Sequence, residues 1–102
     1  MDHQIHIIMK SRSTKMKTLD ITVKHQVGLH ARPASLFVKT SQRYDSNITI
    51  TFEDKTVNAK SILSVLGLGV TKGANIRIAA DGADADDALK SLKELIENNF
   101  GE

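Results

Sequence analysis

The amino-acid sequence predicts a single α+β domain, in which helices cover one face of an antiparallel sheet and the other face meets solvent. Its strand-like segments alternate apolar and polar side chains, as Ile48, Ile50 and Phe52 do with threonines between them. Such alternation is typical of an antiparallel sheet that is buried on one side only. Segments with helical spacing separate the strands and give the order β-α-β-β-α-β-α. A length of 102 residues fits one domain.

The first half of the chain contains three predicted strands and one predicted helix. Alternation predicts strands over residues 17–25 and 48–52, and a short third strand follows a turn, over residues 56–59. Apolar residues at helical spacing predict a helix from about residue 31 to residue 43. His25 would then be an exposed residue at the end of the first strand.

The second half of the chain contains two predicted helices and the fourth strand. Ser61 stands at the N-cap of a short helix over residues 62–66. The fourth strand is predicted over residues 75–80. Asp84 is predicted to cap the last helix, which has a continuous apolar stripe and ends at Gly101.

Composition and charge exclude several classes of function. The chain has no cysteine, which excludes disulfides and cysteine metal sites and suits the cytoplasm. Only 4% of its residues are aromatic, which argues against a stacking surface for single-stranded nucleic acid. The formal net charge of +2 comes from residues 1–15, where three basic residues accompany one acidic residue, so residues 16–102 are formally neutral. Within this domain, basic residues lie mostly before residue 73 and acidic residues dominate after residue 80. We therefore expect docking to an acidic protein and no binding of nucleic acid.

Residues 1–15 are expected to be an extension, disordered or loosely attached, that precedes a domain over residues 16–102. They have no usable periodicity, and their apolar run is too short for a signal-peptide core or a membrane helix. We expect no membrane insertion. Two histidines, His3 and His6, lie in this segment, and we interpret them as incidental rather than as metal ligands.

The stretch that carries chemistry is GLHARPA, residues 28–34, where the first strand gives way to the first helix. It places His30 near the N-cap, beside backbone N–H groups without helical acceptors and the positive end of the helix dipole. A helix N-terminus favours anions, and Arg32 adds a guanidinium suited to phosphate. The pattern indicates a phosphoryl group carried on His30. The alternatives are that His30 is an ordinary polar cap and Arg32 a solvated helix residue.

The same stretch resembles the active-site signature of HPr, the histidine-containing phosphocarrier of the bacterial sugar phosphotransferase system. A second segment, NAKSIL at residues 58–63 followed by LGLG at residues 66–69, resembles the regulatory-serine region of the same family. The resemblance covers residues 16–102. It implies a sheet in the order 1-4-2-3 with three helices on one face.

The resemblance also implies partners and roles. His30 would accept a phosphoryl group through Nδ1 from enzyme I and pass it to enzyme IIA in sugar uptake, with Arg32 stabilising the phosphate. Ser61 would be the serine that an HPr kinase/phosphorylase modifies to make a form bound by a transcription regulator; the alternative is that Ser61 only caps its helix. We expect a monomeric cytoplasmic carrier rather than an enzyme, without cofactor or metal.

Apolar residues near the two motifs are predicted to form a docking patch for these partners: Leu29, Leu63 and Leu66. Their alternative role is core packing, and for Leu29 the two interpretations stay equally open. Two other functions compete with the sugar carrier. One is a regulatory or nitrogen-type phosphotransferase paralogue that acts mainly by protein binding. The other, disfavoured by the neutral domain and scarce aromatics, is a small RNA-binding domain.

Overall fold

The computed structural model describes residues 16–101, so the expectations for residues 1–15 lie outside it. Its elements follow the predicted order β-α-β-β-α-β-α and end in a 3-10 turn. They are β1 (Met16–Thr22), α1 (Ala31–Gln42), β2 (Asn47–Phe52), β3 (Lys55–Asn58), α2 (Ile62–Gly67), β4 (Asn75–Asp81), α3 (Ala85–Glu97) and the turn Asn99–Gly101.

The four strands form one antiparallel sheet in the order β1-β4-β2-β3, which confirms the order that the family resemblance implies. Leu19 of β1 lies opposite Ile78 of β4, and Ile78 lies opposite Ile50 of β2. Helix α3 packs against β1 and β4, and α1 contacts both α2 and α3. The apolar side of the alternation therefore faces the helices, as the sequence predicts.

The core lies between the sheet and the helices and takes its largest side chains from both layers. Ile50, Ile78, Phe37 and Leu92 are all fully buried. The open face is polar. Arg77 donates to both carboxylate oxygens of Asp20 across the sheet, at 2.7 and 3.1 Å, and this hydrogen bond lowers the pKa of the Asp20 carboxyl.

Strand β1 ends three residues before its predicted limit, because the chain leaves the regular ladder after Thr22. Val23 still bonds to the chain that precedes β4, its N–H donating to Ala74 at 2.9 Å and its carbonyl accepting from Gly73 at 2.7 Å. From there the chain turns inward. His25 is therefore buried, with 6% of its surface exposed, and the prediction of an exposed strand residue is wrong.

Asp84 stands at the N-cap of α3, but its side chain makes no cap hydrogen bond, so the predicted capping role is wrong. Its backbone has φ −102° and ψ 21° instead of the extended conformation that directs a side chain back to the helix. The carboxylate accepts instead from the backbone N–H groups of Asp45 and Ser46, at 2.8 and 3.0 Å, and from the Ser46 hydroxyl. Asp84 therefore fastens the loop between α1 and β2 to the start of α3.

The described part of the chain has neither a membrane-spanning helix nor a cluster of metal-binding side chains. No helix within residues 16–101 is both long enough and apolar enough to cross a membrane. The same residues bring together no group of three histidine, cysteine, aspartate or glutamate side chains that could hold a metal ion.

Asp84→Asn should destabilise the fold in a pH-dependent way. The Ser46 hydroxyl and the backbone N–H groups of residues 45 and 46 lower the pKa of the Asp84 carboxyl. The carboxylate therefore stabilises the folded chain above the unfolded-state pKa of about 3.9, and this is lost as the pH falls through the lower folded-state value. Thermal melts followed by circular dichroism should give a Tm lower by several degrees at pH 7, with the difference shrinking below about pH 4.

Asp86→Asn is the matched control for this experiment. Asp86 lies in the first turn of α3, so its replacement removes the same charge from the same helix end without removing the bonds to the Asp45–Ser46 loop. Its Tm should stay close to that of the wild type across the same pH range. A Tm difference for Asp84→Asn that does not change with pH would contradict the role given to the carboxylate.

Candidate functional site

His30 occupies the N-cap of α1, as the sequence predicts. Its backbone is extended, with φ −84° and ψ −169°, and its side chain makes no cap hydrogen bond. Its carbonyl accepts the first intrahelical bond, from Ala34 N–H at 2.8 Å. The side chain is exposed. The imidazole is therefore held in place through its backbone while its ring nitrogens stay accessible to a reacting group.

The chain reaches His30 through a close approach to the segment before β4. Gly28 has φ +68°, and a Cβ built on it would lie 2.2 Å from the carbonyl oxygen of Val70 and 2.7 Å from the Cα of Thr71. The N–H of Leu29 donates to that same Val70 carbonyl at 3.0 Å. Only glycine fits such a contact at positive φ. The position of His30 is therefore set by backbone packing two residues earlier.

Leu29 belongs to the core, so its interpretation as a docking residue is wrong. Its exposed fraction is 2%, too little for a partner to contact. The backbone explains this placement, because the bond to Val70 turns the Leu29 side chain inward while the next residue faces solvent. Its role is to anchor the loop that carries His30.

The first turn of α1 is arranged to favour an anion. The N–H groups of Ala31 and Arg32 have no acceptors within the helix, and they lie at the positive end of the helix dipole. Pro33 follows as a buried residue of the same turn, where a missing N–H removes no helical bond. This turn contains no acidic side chain, and the Arg32 side chain is exposed.

Apolar side chains are exposed on α2, next to His30. Leu63 is 81% exposed, and Ile62 and Leu66 are each 38% exposed. Leu66 and His30 line the same depression, which has a volume of about 230 Å³. Leu63 and Leu66 thus lie at the surface, and their docking role stays a prediction. Ile62 was missed, because a short helix gives too few turns to fix its exposed side from sequence.

Ser61 stands at the N-cap of α2, as predicted, and its Oγ accepts from the Ser64 N–H at 3.4 Å. Helix α2 is tied to the end of α1 through the preceding residue, Lys60. The Lys60 Nζ donates to the Tyr44 carbonyl at 2.6 Å, and the Lys60 carbonyl accepts from the Gln42 side chain at 3.1 Å. The Lys60 bridge was missed because its partners lie more than fifteen residues away.

A family model described as "PTS HPr component phosphorylation site" matches residues 17–98. That range is most of the chain and contains both motifs. The chain belongs to the HPr family. It is thereby related to the phosphocarrier components of the phosphotransferase system, and the resemblance noted in the sequence is confirmed.

Solved structures of HPr-family proteins share this fold. HPr-C-His from Thermoanaerobacter tengcongensis is 45% identical, with a TM-score of 0.83 over 84% of this chain and 97% of its own. The phosphocarrier protein HPr from Bacillus anthracis is 40% identical, with a TM-score of 0.77 over 79% of this chain and 96% of its own. Crh, the catabolite repression protein of Bacillus subtilis, is 36% identical with a TM-score of 0.65, over 76% and 90% respectively, and is described as a dimer with a swapping domain.

Gly28→Ala should destabilise this HPr-family fold, while Gly67→Ala should not. A β-carbon at residue 28 would meet the Val70 backbone at positive φ, whereas one at Gly67 in α2 has nothing within 4 Å. We expect Gly28→Ala to lower the free energy of unfolding by about 3 kcal/mol or more. Gly67→Ala should leave it unchanged or raise it by about 0.5–1 kcal/mol. Urea titrations of both variants measure this, and equal losses would contradict the close approach at Gly28.

Proposed function

We propose that this chain is a phosphocarrier that accepts a phosphoryl group on His30 from phosphorylated enzyme I and passes it to an enzyme IIA domain during sugar uptake. One observation carries the proposal. In a chain of the HPr family, His30 is exposed at a helix N-cap, directly before N–H groups without helical acceptors and two residues before the exposed Arg32. A nucleophile and an anion site therefore adjoin each other.

The transfer needs little from the protein beyond position and charge. The Nδ1 lone pair of His30 attacks phosphorus as the bond from phosphorus to enzyme I breaks, and the bonding pair leaves with enzyme I. The N–H groups at the start of α1 and the Arg32 side chain stabilise the charge on the phosphoryl oxygens. The same arrangement then serves the reverse geometry, in which enzyme IIA is the nucleophile and His30 the leaving group. No cofactor or metal is required.

We propose Leu63 and Leu66 as the centre of the docking surface for both partners. They are exposed on α2, and Leu66 adjoins His30 in the same depression. An apolar contact next to the reacting ring excludes water from it when a partner binds. Leu29 is buried, and its role is to anchor the loop that carries His30.

We propose Ser61 as a regulatory phosphorylation site for an HPr kinase/phosphorylase, producing a form that a transcription regulator binds. Its hydroxyl caps α2, the helix that carries the docking residues. The likeness to Crh, a protein named for catabolite repression, supports a second candidate, a regulatory or nitrogen-type paralogue that works by protein binding. The exposed His30 favours the carrier. We propose a monomeric cytoplasmic protein, to be tested by sedimentation because Crh is described as a dimer.

His30→Ala should abolish phosphorylation by enzyme I and phosphoenolpyruvate without harming the fold. The imidazole makes no cap bond and is exposed, so the Tm should change by no more than about 2 °C, since surface substitutions have small effects. In the wild type, the labelled protein should lose its phosphate in acid and keep it in alkali, as a phosphoramidate does. Radiolabel incorporation and intact-mass spectrometry measure both.

A reaction without enzyme I is the control and should give no label. A label that survives acid treatment, or that persists in His30→Ala, would contradict His30 as the acceptor. A wild type that enzyme I does not label at all would overturn the carrier and leave the regulatory paralogue as the remaining candidate.

Ser61→Asp should slow phosphorylation of His30 without lowering the Tm. Aspartate caps a helix about as well as serine, while its charge lies close to the docking surface and repels an acidic partner. We expect a rate about three- to tenfold lower at low ionic strength. The difference should shrink in high salt, because exposed charges are screened over about 8–10 Å.

Thr18→Asp is the matched control. Thr18 is exposed on β1, at the opposite edge of the sheet from β3, the strand that α2 contacts. Thr18→Asp adds the same charge far from the docking surface, so the rate of His30 phosphorylation should match that of the wild type. Equal rates for Ser61→Asp and Thr18→Asp at low salt would leave Ser61 a helix cap only.

A further inference from the structure

We propose that His25 is a positioning residue for the phosphoryl acceptor, because its imidazole holds the turn that brings the chain to His30. This rests on the proposed function, since it deepens the account of the same site. His25 takes no part in the transfer itself. It lies five residues before the acceptor, and it is buried with 6% of its surface exposed.

Two successive N–H groups of the turn bond to His25. The N–H of Val27 donates to the ring nitrogen Nδ1 at 3.3 Å, and the N–H of Gly28 donates to the His25 carbonyl at 3.0 Å. A ring nitrogen that accepts a hydrogen bond must carry no proton. The side chain therefore contributes an in-plane acceptor that fixes the middle of the turn, while the backbone carbonyl closes it.

The His25 ring is itself held by the other end of the described chain. It meets Phe100 edge to face, with ring centroids 5.6 Å apart and an interplanar angle of 80°, an arrangement that aromatic pairs favour. Phe100 is 2% exposed and has φ +57°, a strained conformation that persists only where packing holds it. The 3-10 turn after α3 thus forms one wall of the pocket around His25.

Backbone contacts hold the segment between His25 and His30 in place. After the turn, Gly28 presses against the backbone at Val70, and Leu29 bonds to the same carbonyl and is buried. A shift of Val27 would therefore be passed on to the N-cap. Histidine is the residue suited to this place because it supplies both an aromatic ring and an in-plane acceptor. Phenylalanine supplies only the ring, and asparagine only the acceptor.

Two variants separate these properties. His25→Phe keeps an aromatic ring against Phe100 and removes the acceptor. His25→Asn removes the ring and keeps an acceptor, because asparagine side chains readily accept from the N–H two residues on. We measure the rate of phosphoryl transfer from enzyme I, the hydrogen exchange of the Val27 amide by NMR, and the Tm.

In His25→Phe, the Val27 amide should exchange about five- to tenfold faster, and transfer to His30 should slow by a similar factor, with a smaller fall in Tm than in His25→Asn. In His25→Asn, exchange and transfer should stay within about twofold of the wild type while the Tm falls by several degrees, because buried packing is lost. We therefore expect the transfer rate to depend on the hydrogen-bond acceptor at residue 25, and the Tm to depend on the aromatic ring.

Transfer rates that follow the Tm instead, with His25→Asn slow and His25→Phe normal, would overturn the proposal. So would equal transfer rates in all three proteins. A wild type that enzyme I does not label would overturn the proposed function, and the hold of His25 on the turn would then be decided by the Val27 exchange alone.

Discussion

The contact between Gly28 and the backbone at Val70 is the constraint on which the site depends. It brings the loop after β1 against the segment before β4, so that the same carbonyl accepts from Leu29. Leu29 can then enter the core while its neighbour His30 stays outside. The contact therefore fixes where His30 and the start of α1 lie relative to this segment.

The rest of the molecule supplies a platform and a contact surface. The sheet and α3 form the rigid base, with Asp84 fastening the loop that joins α1 to β2. Helix α2 is short, and an isolated helix of its length would not be stable. Lys60 fixes it against the end of α1, and the helix exposes apolar side chains, among them Leu66 beside His30. Most of the buried core therefore lies on elements other than α2, which carries these exposed apolar side chains.

The sequence predicted the secondary-structure elements better than the contacts between them. The alternation along Ile48, Ile50 and Phe52 is a local signal, and the strand that it predicts is confirmed. The N-cap positions of His30 and Ser61 are local signals too, and both are confirmed. The sheet order needed the family resemblance, because pairing of β1 with β4 joins residues far apart in the chain. No local pattern reveals contacts with residues far away in the chain. Such contacts determine the burial of His25, the role of Asp84 in holding the loop, and the inward orientation of the Leu29 side chain.

The contact of His25 with Phe100 has a consequence for the order in which the protein matures. The aromatic ring that packs against His25 is contributed by one of the last residues described, while His30 lies in the first third of the chain. During synthesis on the ribosome, His30 emerges long before Phe100 does. The aromatic packing around His25 is therefore completed only when translation has reached Phe100.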